Sequence, residues 1–309
     1  MGIVRLTGGL GNQMFQAAIA KSLELKQKTT VKLDADFYKI CPKNMGFHNG
    51  LEIDRIFNIT NFTTKKENQK FKGLYILWMN KEWSFTTVEK KILGKNIFFK
   101  LKDNFVVDDN PAKFNKNYLN LKDDFYLSGC FQSYKYFKEY DEEIRKLFLF
   151  PKIADKKNAF ILKKIKNTNS VSIHVRRGDY LNKMNAELNV VDSRYYKSAI
   201  KTIAKEVKNP VFFIFSDDIN WCKENFEYLG EKYYIDWNKK KESFRDMQLI
   251  SSCKHNIIAN SSFSWWGTWL NKNPNKIVIC PEYWLNGVLN NYDRCPEDWK
   301  RMAVKPELE

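Results

Sequence analysis

The chain has 309 residues, enough for two domains of about 150 residues each, and 43% of them are hydrophobic, which excludes a disordered protein. Its formal net charge of +16 favours an anionic partner: nucleic acid, acidic lipid headgroups or a nucleotide substrate. Because no apolar run approaches the roughly 20 residues of a membrane span, the sequence predicts no transmembrane helix.

The cysteines and the N-terminus predict the compartment. The six cysteines include no C-x-x-C pair, so we expect neither disulfides nor a zinc site. The segment Met1–Leu6 runs directly into a strand and lacks the apolar region of a signal peptide. These features predict a cytoplasmic enzyme whose only membrane contact is peripheral, at the inner face of the cell membrane.

The N-terminal part of the chain begins as a β-loop-α-β unit. Ile3–Leu6 predicts a short buried strand, and Asn12 can cap the helix that follows a glycine-rich loop. Val31–Asp34 predicts the second strand. Residues 60–125 mix lysines with aromatic residues without a clear period, and we interpret them as an insertion or cap that shapes a substrate cleft.

The C-terminal part alternates regularly between strands and helices. Lys156–Asn169 is interpreted as the crossing between domains. The predicted strands after it are Val171–Val175, Val211–Phe215, Tyr233–Ile235, Asn256–Ala259 and a final strand, Ile277–Cys280, ended by Pro281. The predicted helices are Ser193–Val207, Phe244–Cys253 and Ser264–Leu270. This alternation is typical of right-handed crossovers around a parallel sheet.

A glycine-rich loop, Gly8–Gln13, lies between the first strand and the first helix. Glycines at this position let the backbone approach a ligand, and the helix N-terminus favours negative charge. A dinucleotide-binding fingerprint would need glycine or alanine where Met14 stands, so Asp34 as a ribose-binding acid is a weak signal. A tight turn without any ligand would explain the glycines but not Asn12 and Gln13.

The segment Ser172–Tyr180 places two adjacent arginines at the carboxyl end of an apolar strand, where open α/β sheets bind ligands. Guanidinium groups grip phosphate bidentately, so the segment predicts an anionic, nucleotide-bearing ligand. Because neighbouring strand residues point to opposite faces, we expect Arg176 or Arg177 to hold the phosphate and the other to pair with Asp179. A surface salt bridge between arginine and aspartate is the alternative.

Phe215–Asp218 is a second polar segment at the end of a buried strand. Its paired carboxylates are compatible with a metal site, or with hydrogen bonds to guanine N–H groups and ribose hydroxyls. Asp218 could equally cap a helix beginning near Asn220. The segment alone leaves these interpretations open.

A strand also ends at Ala259, where an asparagine and three serines gather at the start of a helix. Hydroxyls and backbone N–H groups at a helix N-terminus can cradle an anion, although one or two serines could serve only as caps. Trp265 and Trp266 are interpreted as core or wall residues.

These four segments together resemble the α-1,2-fucosyltransferases of glycosyltransferase family 11. That family has a GG-x-GNQ N-terminus followed by H-x-R-R-x-D, S-D-D and N-S-S-F-S-W-W segments. Here they stand as Gly8–Gln13, His174–Asp179, Ser216–Asp218 and Asn260–Trp266, so the resemblance extends from Gly8 to about Tyr283. It implies a GT-B fold, in which two Rossmann-like α/β domains face each other across a substrate cleft.

The resemblance implies a domain for each substrate. Residues 1–160 would form the acceptor-side domain, including the insertion near 60–125. Residues 161–309 would form the GDP-fucose-binding domain, with the last segment packing back on the first domain.

The resemblance also implies roles for individual residues. Either Arg176 or Arg177 would hold the β-phosphate, and Asn12 would face the fucose or reacting centre. The implied nucleotide-binding residues are His174, Arg176, Arg177, Ser216, Asp217, Asp218, Asn260, Ser261, Ser262 and Ser264. Gly9, Gly11 and Asp179 would shape the site without contacting the reacting atoms.

The implied reaction is inverting transfer of L-fucose from GDP-β-L-fucose to the 2-hydroxyl of a terminal galactoside. The acceptor would be an oligosaccharide or lipid-linked glycan in bacterial surface glycan synthesis. GDP-fucose is then a co-substrate, and no cofactor or metal is expected. His48 is a candidate base, with Glu52 nearby in sequence, although early departure of the leaving group would make a base unnecessary.

Three alternatives remain at this stage. A fucosyltransferase of another linkage, or one with a protein acceptor, would share the arginine segment. A nucleic-acid-binding protein is suggested by the basic charge and by the lysines and aromatics from Lys65 to Lys102, but its arginines would not sit at strand ends. A flavin or nicotinamide enzyme is the third.

Overall fold

The computed structural model describes residues 1–40, 49–64, 66–67, 105–108, 113–122, 124–181, 188, 191–285 and 293–304. Its named strands form two sheets, and every strand pair within them is parallel. Helices connect and cover the sheets. The predicted α/β class, with a parallel sheet in each half of the chain, is confirmed.

The first sheet has the strand order β2-β1-β4-β3. Its strands are β1 (Gly2–Arg5), β2 (Val31–Asp34), β3 (Phe105–Val107) and β4 (Tyr126–Ser128). The central strand β1 is buried along its whole length, so the apolar run at the N-terminus forms the middle of this sheet.

The second sheet has the strand order β10-β9-β8-β5-β6-β7. Its strands are β5 (Asn169–Val175), β6 (Pro210–Ser216), β7 (Lys232–Ile235), β8 (His255–Ile257), β9 (Val278–Pro281) and β10 (Lys300–Met302). The carboxyl ends of β8, β5 and β6 are therefore neighbours at one edge of the sheet.

Nine α-helices lie within the described residues. They are α1 (Leu10–Gln27), α2 (Phe37–Ile40), α3 (Ile53–Phe57), α4 (Asp141–Leu147), α5 (Lys156–Asn167), α6 (Ser193–Glu206), α7 (Ile219–Asn225), α8 (Phe244–Ser252) and α9 (Ser262–Trp269). Side-chain caps begin several of them: the carboxylate of Asp192 accepts from the backbone at the start of α6. Helix α1 instead begins after Gly9, so the prediction that Asn12 caps it is wrong.

Two sequence-based assignments differ from the structure. Residues 105–107 of the predicted insertion form the edge strand β3 of the first sheet, because they pair with β4. Pro281 is the last residue of β9 and does not end the sheet, since Lys300–Met302 adds the outer strand β10. Residues 68–104 lie outside the described residues.

The segment interpreted as a domain crossing is helix α5. Its buried residues Ile161 and Ile165 pack with Phe213 and Phe215 of β6, so the helix covers the second sheet. The predicted division after residue 160 falls inside this helix. The segment near Asp293 contacts Phe114 and Ser133 of the chain's N-terminal half.

The largest hydrophobic cluster joins the two halves of the chain. Trp265 and Trp266 of α9 are fully buried and pack against Phe15 of α1, with ring centroids 4.6 and 4.9 Å away. Both tryptophans are therefore core residues, as predicted. Among the described residues, no helix has the length and apolar character required to cross a membrane.

Candidate active site

Two arginines follow strand β5 and meet the carboxylates that follow strand β6. Nη2 of Arg176 lies 2.8 Å from Asp179, and its Nη1 lies 3.0 Å from Asp217. Nε of Arg177 lies 3.0 Å from the carboxylate of Asp218. Both guanidinium groups remain partly exposed, with 24% of each side chain accessible. The ion pairs thus fix the two arginines at the edge of the sheet.

The two arginines lie on opposite faces of the sheet, as strand alternation predicts. The guanidinium of Arg177 lies over the ring of Trp221, 4.5 Å from its centroid. Arg176 lies over Tyr180 at 5.7 Å and is an electrostatic neighbour of His174. Arg176 therefore shares the face of His174, while Arg177 faces helix α7.

This arrangement shows which of the two arginines pairs with Asp179. Asp179 was expected to pair with the arginine that does not hold the phosphate. Asp179 pairs with Arg176, on the face of His174, while Arg177 pairs with Asp218, and which arginine holds the phosphate stays a prediction. Each Nη atom of Arg176 still carries a second N–H group, so its ion pairs do not exhaust its donors.

The aspartates after β6 hold the loop after β5 in place. Asp217 accepts a 2.9 Å hydrogen bond from the backbone N–H of Arg177. Gly178 permits this approach, because a Cβ there would lie 2.9 Å from a carboxylate oxygen of Asp217. Asp218 caps helix α7 by accepting from the backbone N–H of Trp221, and Ser216 accepts from the N–H of Asp218.

His174 supplies a buried polar atom without a partner. The residue is 6% exposed, and its Nδ1 has no hydrogen-bond partner among the described residues. Burial lowers the pKa of His174 to about 4, against the opposing effect of Asp217. The imidazole is therefore neutral near pH 7 and can accept a hydrogen bond from a ligand. Its ring lies against Phe263, with centroids 5.7 Å apart.

Asn260 lies in the loop between β8 and α9. Its amide nitrogen donates to the backbone carbonyls of Leu188 and Trp284, both at 2.8 Å. Its Oδ1 is buried and has no partner in the part of the chain that is described. Its backbone carbonyl accepts from the hydroxyl of Tyr180, at 3.0 Å. Asn260 thus links three loops and retains one free acceptor.

The serines at the start of α9 differ in accessibility. Ser261 occupies the N-cap position without a side-chain capping bond among the described residues, and Ser262 is half-buried. The predicted nucleotide contact of Ser264 does not fit the structure. That residue is fully buried, and its hydroxyl donates to the carbonyl of Ser261.

The glycine-rich loop meets the same helix N-terminus from the other half of the chain. A Cβ on Gly11 would lie 2.6 Å from the backbone of Ser262, so only glycine fits this contact without a shift. The indole N–H of Trp266 donates to the carbonyl of Gly11, at 3.0 Å. Gly11 therefore brings the first turns of α1 and α9 together.

Asn12 and Gln13 are both held by the protein. The amide of Gln132, beyond β4, donates to Oδ1 of Asn12, at 2.7 Å. Gln13 is fully buried, donating to the carbonyls of Gly8 and Gly50 and accepting from the backbone of Glu52. Asn12 thus lies beside the start of α9 with its orientation fixed, whereas Gln13 serves the fold.

The candidate base predicted from the sequence is His48, with Glu52 nearby. His48 lies outside the described residues. The nearby Glu52 is 2% exposed, its carboxylate is bonded by Asn49 and the backbone N–H of Leu10, and burial raises its pKa. These contacts tie Glu52 to the start of α1 rather than to an open surface.

Several residues of the site were missed by the sequence analysis. Gln132 orients Asn12, Tyr180 joins the arginine loop to Asn260, and Phe263 packs on His174. The last two lie inside or next to the motifs, so their aromatic character was an available signal. Gln132 gave none, because its sequence separation from Asn12 is 120 residues.

Two halves built on parallel sheets, with charged groups at the strand ends of the second and His174 packed on Phe263 of α9, are the arrangement of a glycosyltransferase of the GT-B type. The sequence profile described as glycosyl transferase family 11 matches residues 3–300. The chain belongs to that family, as its four motifs predicted.

Two Escherichia coli proteins are similar over nearly the whole chain. An alpha-1,2-colitosyltransferase is 35% identical over 97% of this chain and 98% of its own length. The O-antigen biosynthesis glycosyltransferase WbnK is 34% identical over 95% and 97%. Human galactoside alpha-(1,2)-fucosyltransferase 1 is 28% identical over 50% of this chain and 46% of its own length.

Solved structures of lower similarity also match. The NodZ alpha-1,6-fucosyltransferase soaked with GDP-fucose is 15% identical, with a TM-score of 0.49 over 87% of this chain and 91% of that one.

Proposed function

We propose that the site binds GDP-fucose and transfers L-fucose, with inversion, to the 2-hydroxyl of a terminal galactoside. The observation that carries this proposal is the common face shared by Arg176, His174 and the N-terminus of α9, where Nδ1 of His174 has no partner among the described residues. A guanidinium and open backbone N–H groups suit a diphosphate, and a neutral imidazole acceptor suits guanine or ribose.

Arg176 is the proposed diphosphate ligand. It lies on the face of His174, and Asp179 and Asp217 fix its orientation while leaving N–H groups for phosphate oxygens. Arg177, paired with Asp218 and stacked on Trp221, would hold the ends of β5 and β6 together. Of the two arginines predicted to bind phosphate, Arg176 would contact it and Arg177 would position the loop.

The proposed chemistry is a single displacement. The acceptor oxygen forms a bond to the anomeric carbon as the bond from that carbon to the diphosphate breaks, and GDP leaves with the electron pair. Because negative charge grows on the departing diphosphate, a fixed guanidinium and a helix N-terminus stabilise the transition state more than the ground state. The acceptor proton would pass to a base, for which His48 remains the candidate, or to water.

The relatives support the linkage more directly than the sugar. The names of the colitosyl relative and of the human fucosyl relative share an alpha-1,2 linkage. The human name specifies a galactoside, and WbnK is named for O-antigen biosynthesis. We therefore extend the 1,2 linkage, the galactoside acceptor and a place in bacterial surface glycan synthesis to this chain. The proposed acceptor is a free oligosaccharide or a lipid-linked glycan.

A colitosyl donor is the second candidate. Colitose is L-fucose without its 3-hydroxyl group, and the colitosyl relative matches 97% of this chain. A site that hydrogen-bonds the 3-hydroxyl would reject the deoxy sugar by about 10⁴-fold, because its polar group would be left unpaired. A site without that contact would accept both donors.

The proposal needs neither metal nor cofactor. Asp217 and Asp218, the carboxylates considered for a metal, are each paired with an arginine. Within the described residues, no three histidine, cysteine, aspartate or glutamate side chains cluster in a way that could hold a metal ion. In this proposal the guanidinium of Arg176 supplies the positive charge that a metal ion would otherwise provide.

The test is to incubate the full chain with GDP-fucose or GDP-colitose and a panel of galactosides, then determine the product linkage. We expect fucose on O2 of a terminal galactose in the α configuration, with activity unchanged by EDTA. Turnover of GDP-colitose alone would replace the donor. A metal-reversible loss of activity would contradict the proposed metal independence, and a product at another hydroxyl would contradict the linkage.

A further inference from the structure

Helix α5 carries a strongly basic face outside the site. It contains five lysines and no acidic residue, and Asp155 caps its start. Ile161 and Ile165 face the second sheet, whereas Phe160 is 54% exposed. The exposed Lys156, Lys157 and Lys163 lie within about one turn of Phe160. A large apolar ring thus projects into solvent among ammonium groups.

This face continues onto the outer strand of the second sheet. A concavity of about 480 Å³ lies between α5 and β7 and is lined by Lys157, Phe160, Tyr233, Tyr234 and Trp237 among others. The indole N–H of Trp237 donates to Asn158 of α5, at 3.0 Å. The aromatic wall is therefore fixed to the helix. We use the name α5–β7 face for the exposed Lys156, Lys157 and Lys163 together with the residues that line this concavity.

Three aromatic rings of this face have a lysine of the chain nearby. Nζ of Lys157 lies 5.8 Å from the centroid of Trp237, and Nζ of Lys164 lies 5.7 Å from Phe160 and 5.8 Å from Tyr233. A neutral sugar would need an open ring face on which to stack. The lysines beside these rings instead favour an anionic partner with an apolar part.

The topology places the α5–β7 face beside the active site. Trp237 follows the carboxyl end of β7, and Arg176 follows that of β5, in a parallel sheet. Helix α5 returns the chain to the start of β5, so its first residues, Lys156 and Lys157, lie at the same edge of the sheet as the arginines. A surface that contacts this face is thus held near the site.

We propose that the α5–β7 face binds the anionic headgroups of a lipid bilayer, with Phe160 entering the interface. Lysines near a negatively charged membrane each strengthen binding about fivefold, and aromatic residues are favoured at the headgroup level. The carboxylate of Glu231 borders this face and accepts a hydrogen bond from the hydroxyl of Tyr233. It does not change the sign of the net charge of α5, which is positive. The inference does not depend on which sugar is transferred.

The test is co-sedimentation of the full chain with vesicles of phosphatidylcholine alone or mixed equally with phosphatidylglycerol. We expect binding only to the mixed vesicles, weakening as salt is added. Replacing Lys156, Lys157 and Lys163 by glutamine should lower the partition coefficient about a hundredfold. Phe160→Ser alone should lower it several-fold. Both variants should keep the wild-type turnover of a soluble acceptor.

A matched control lies on α6, where Lys197, Lys201 and Lys205 are also exposed. Their triple glutamine variant removes the same charge and should retain vesicle binding. Equal loss in both triple variants would show an effect of net charge and overturn the α5–β7 face as the contact. The proposal also fails if the wild-type protein does not bind the mixed vesicles. It fails likewise if a soluble oligosaccharide quenches the fluorescence of Trp237 while the protein shows no binding to vesicles.

Discussion

The glycine-rich loop and the arginine segment both follow a buried strand, and both were interpreted as anion-binding sites, yet they use their polar groups differently. In the loop, the amide of Gln13 is consumed by backbone groups, and Gly11 packs on Ser262. In the arginine segment, Arg176 keeps N–H groups, and Nδ1 of His174 has no partner within the described part of the chain. A strand followed by glycine therefore does not by itself distinguish packing from binding.

The difference has a physical basis. Glycine lets any backbone approach, whether that of a neighbouring helix or the oxygen of a phosphate. Burying a charged or polar side chain without a hydrogen-bond partner costs free energy. A buried side chain that keeps an unused donor or acceptor therefore indicates a surface that binds a ligand. Substituting one residue in each region tests whether the two regions differ in this way.

The largest expected effect is on catalysis. Arg176→Ala removes the proposed diphosphate contact and should lower kcat/KM for GDP-fucose by about 10²–10³-fold, because such a donor acts on developing charge. Steady-state kinetics of GDP release would measure this loss. The variant should stay folded, since the group is partly exposed.

Two matched arginines sharpen that result. Arg194→Ala removes a surface pair with Asp192 and should leave turnover unchanged. Arg177→Ala should lower turnover less than Arg176→Ala, because its proposed role is to position the strand ends. Near-normal turnover in both Arg176→Ala and Arg177→Ala would contradict the mechanism, and a larger loss for Arg177→Ala would exchange their roles.

The next effect is on stability at the other region. Gly11→Ala places a Cβ 2.6 Å from the backbone of Ser262, where neither helix can give way easily. We expect the free energy of unfolding to fall by about 1–3 kcal/mol, as for other overpacked contacts. Urea unfolding followed by circular dichroism would measure it.

Gly230→Ala is the control, because a Cβ there would meet no atom of the described residues within 4 Å. Its stability should be unchanged or slightly raised. If Gly11→Ala kept full stability while losing GDP binding, the glycine loop would be a ligand site after all, and the contrast between the two regions would disappear.

The sequence predicted most of the second sheet because its strands are long, apolar and followed by recognisable helices. Val211–Phe215 and Val171–Val175 were placed within two residues of β6 and β5. Strand β3 was missed because Phe105–Val107 is only three residues long and half-buried. A segment this short shows no hydrophobic periodicity. Strand β10 was missed for a similar reason, being three residues of which two are basic.

The site was predictable as a set of segments but not as a set of contacts. Strand alternation indicated that Arg176 and Arg177 face opposite ways, yet not which of them pairs with Asp179. That choice depends on where Asp217 and Asp218 sit on the neighbouring strand. Likewise, the burial of Ser264 follows from the packing of α9 on α1, which connects residues about 250 apart in the chain.

The last expected effect depends on pH and concerns the buried His174. Its pKa is lowered to about 4, below the usual 6.5, by burial, while Arg176 adds to the lowering. The unfolded chain therefore binds a proton at a higher pH than the folded chain does. Consequently the contribution of His174 to stability is present above about pH 6.5 and is lost as the pH falls towards 4.

We expect this contribution to decrease by about 2 kcal/mol between pH 7 and pH 5, and His174→Gln should remove the dependence. Asp246 opposes it, because burial raises the pKa of that carboxyl to about 7 and its contribution is lost as the pH rises. The comparison is therefore made in an Asp246→Asn background by urea unfolding at both pH values. Parallel pH profiles with and without His174 would mean that the imidazole is not kept neutral by burial, and the proposed acceptor for guanine or ribose would lose its support.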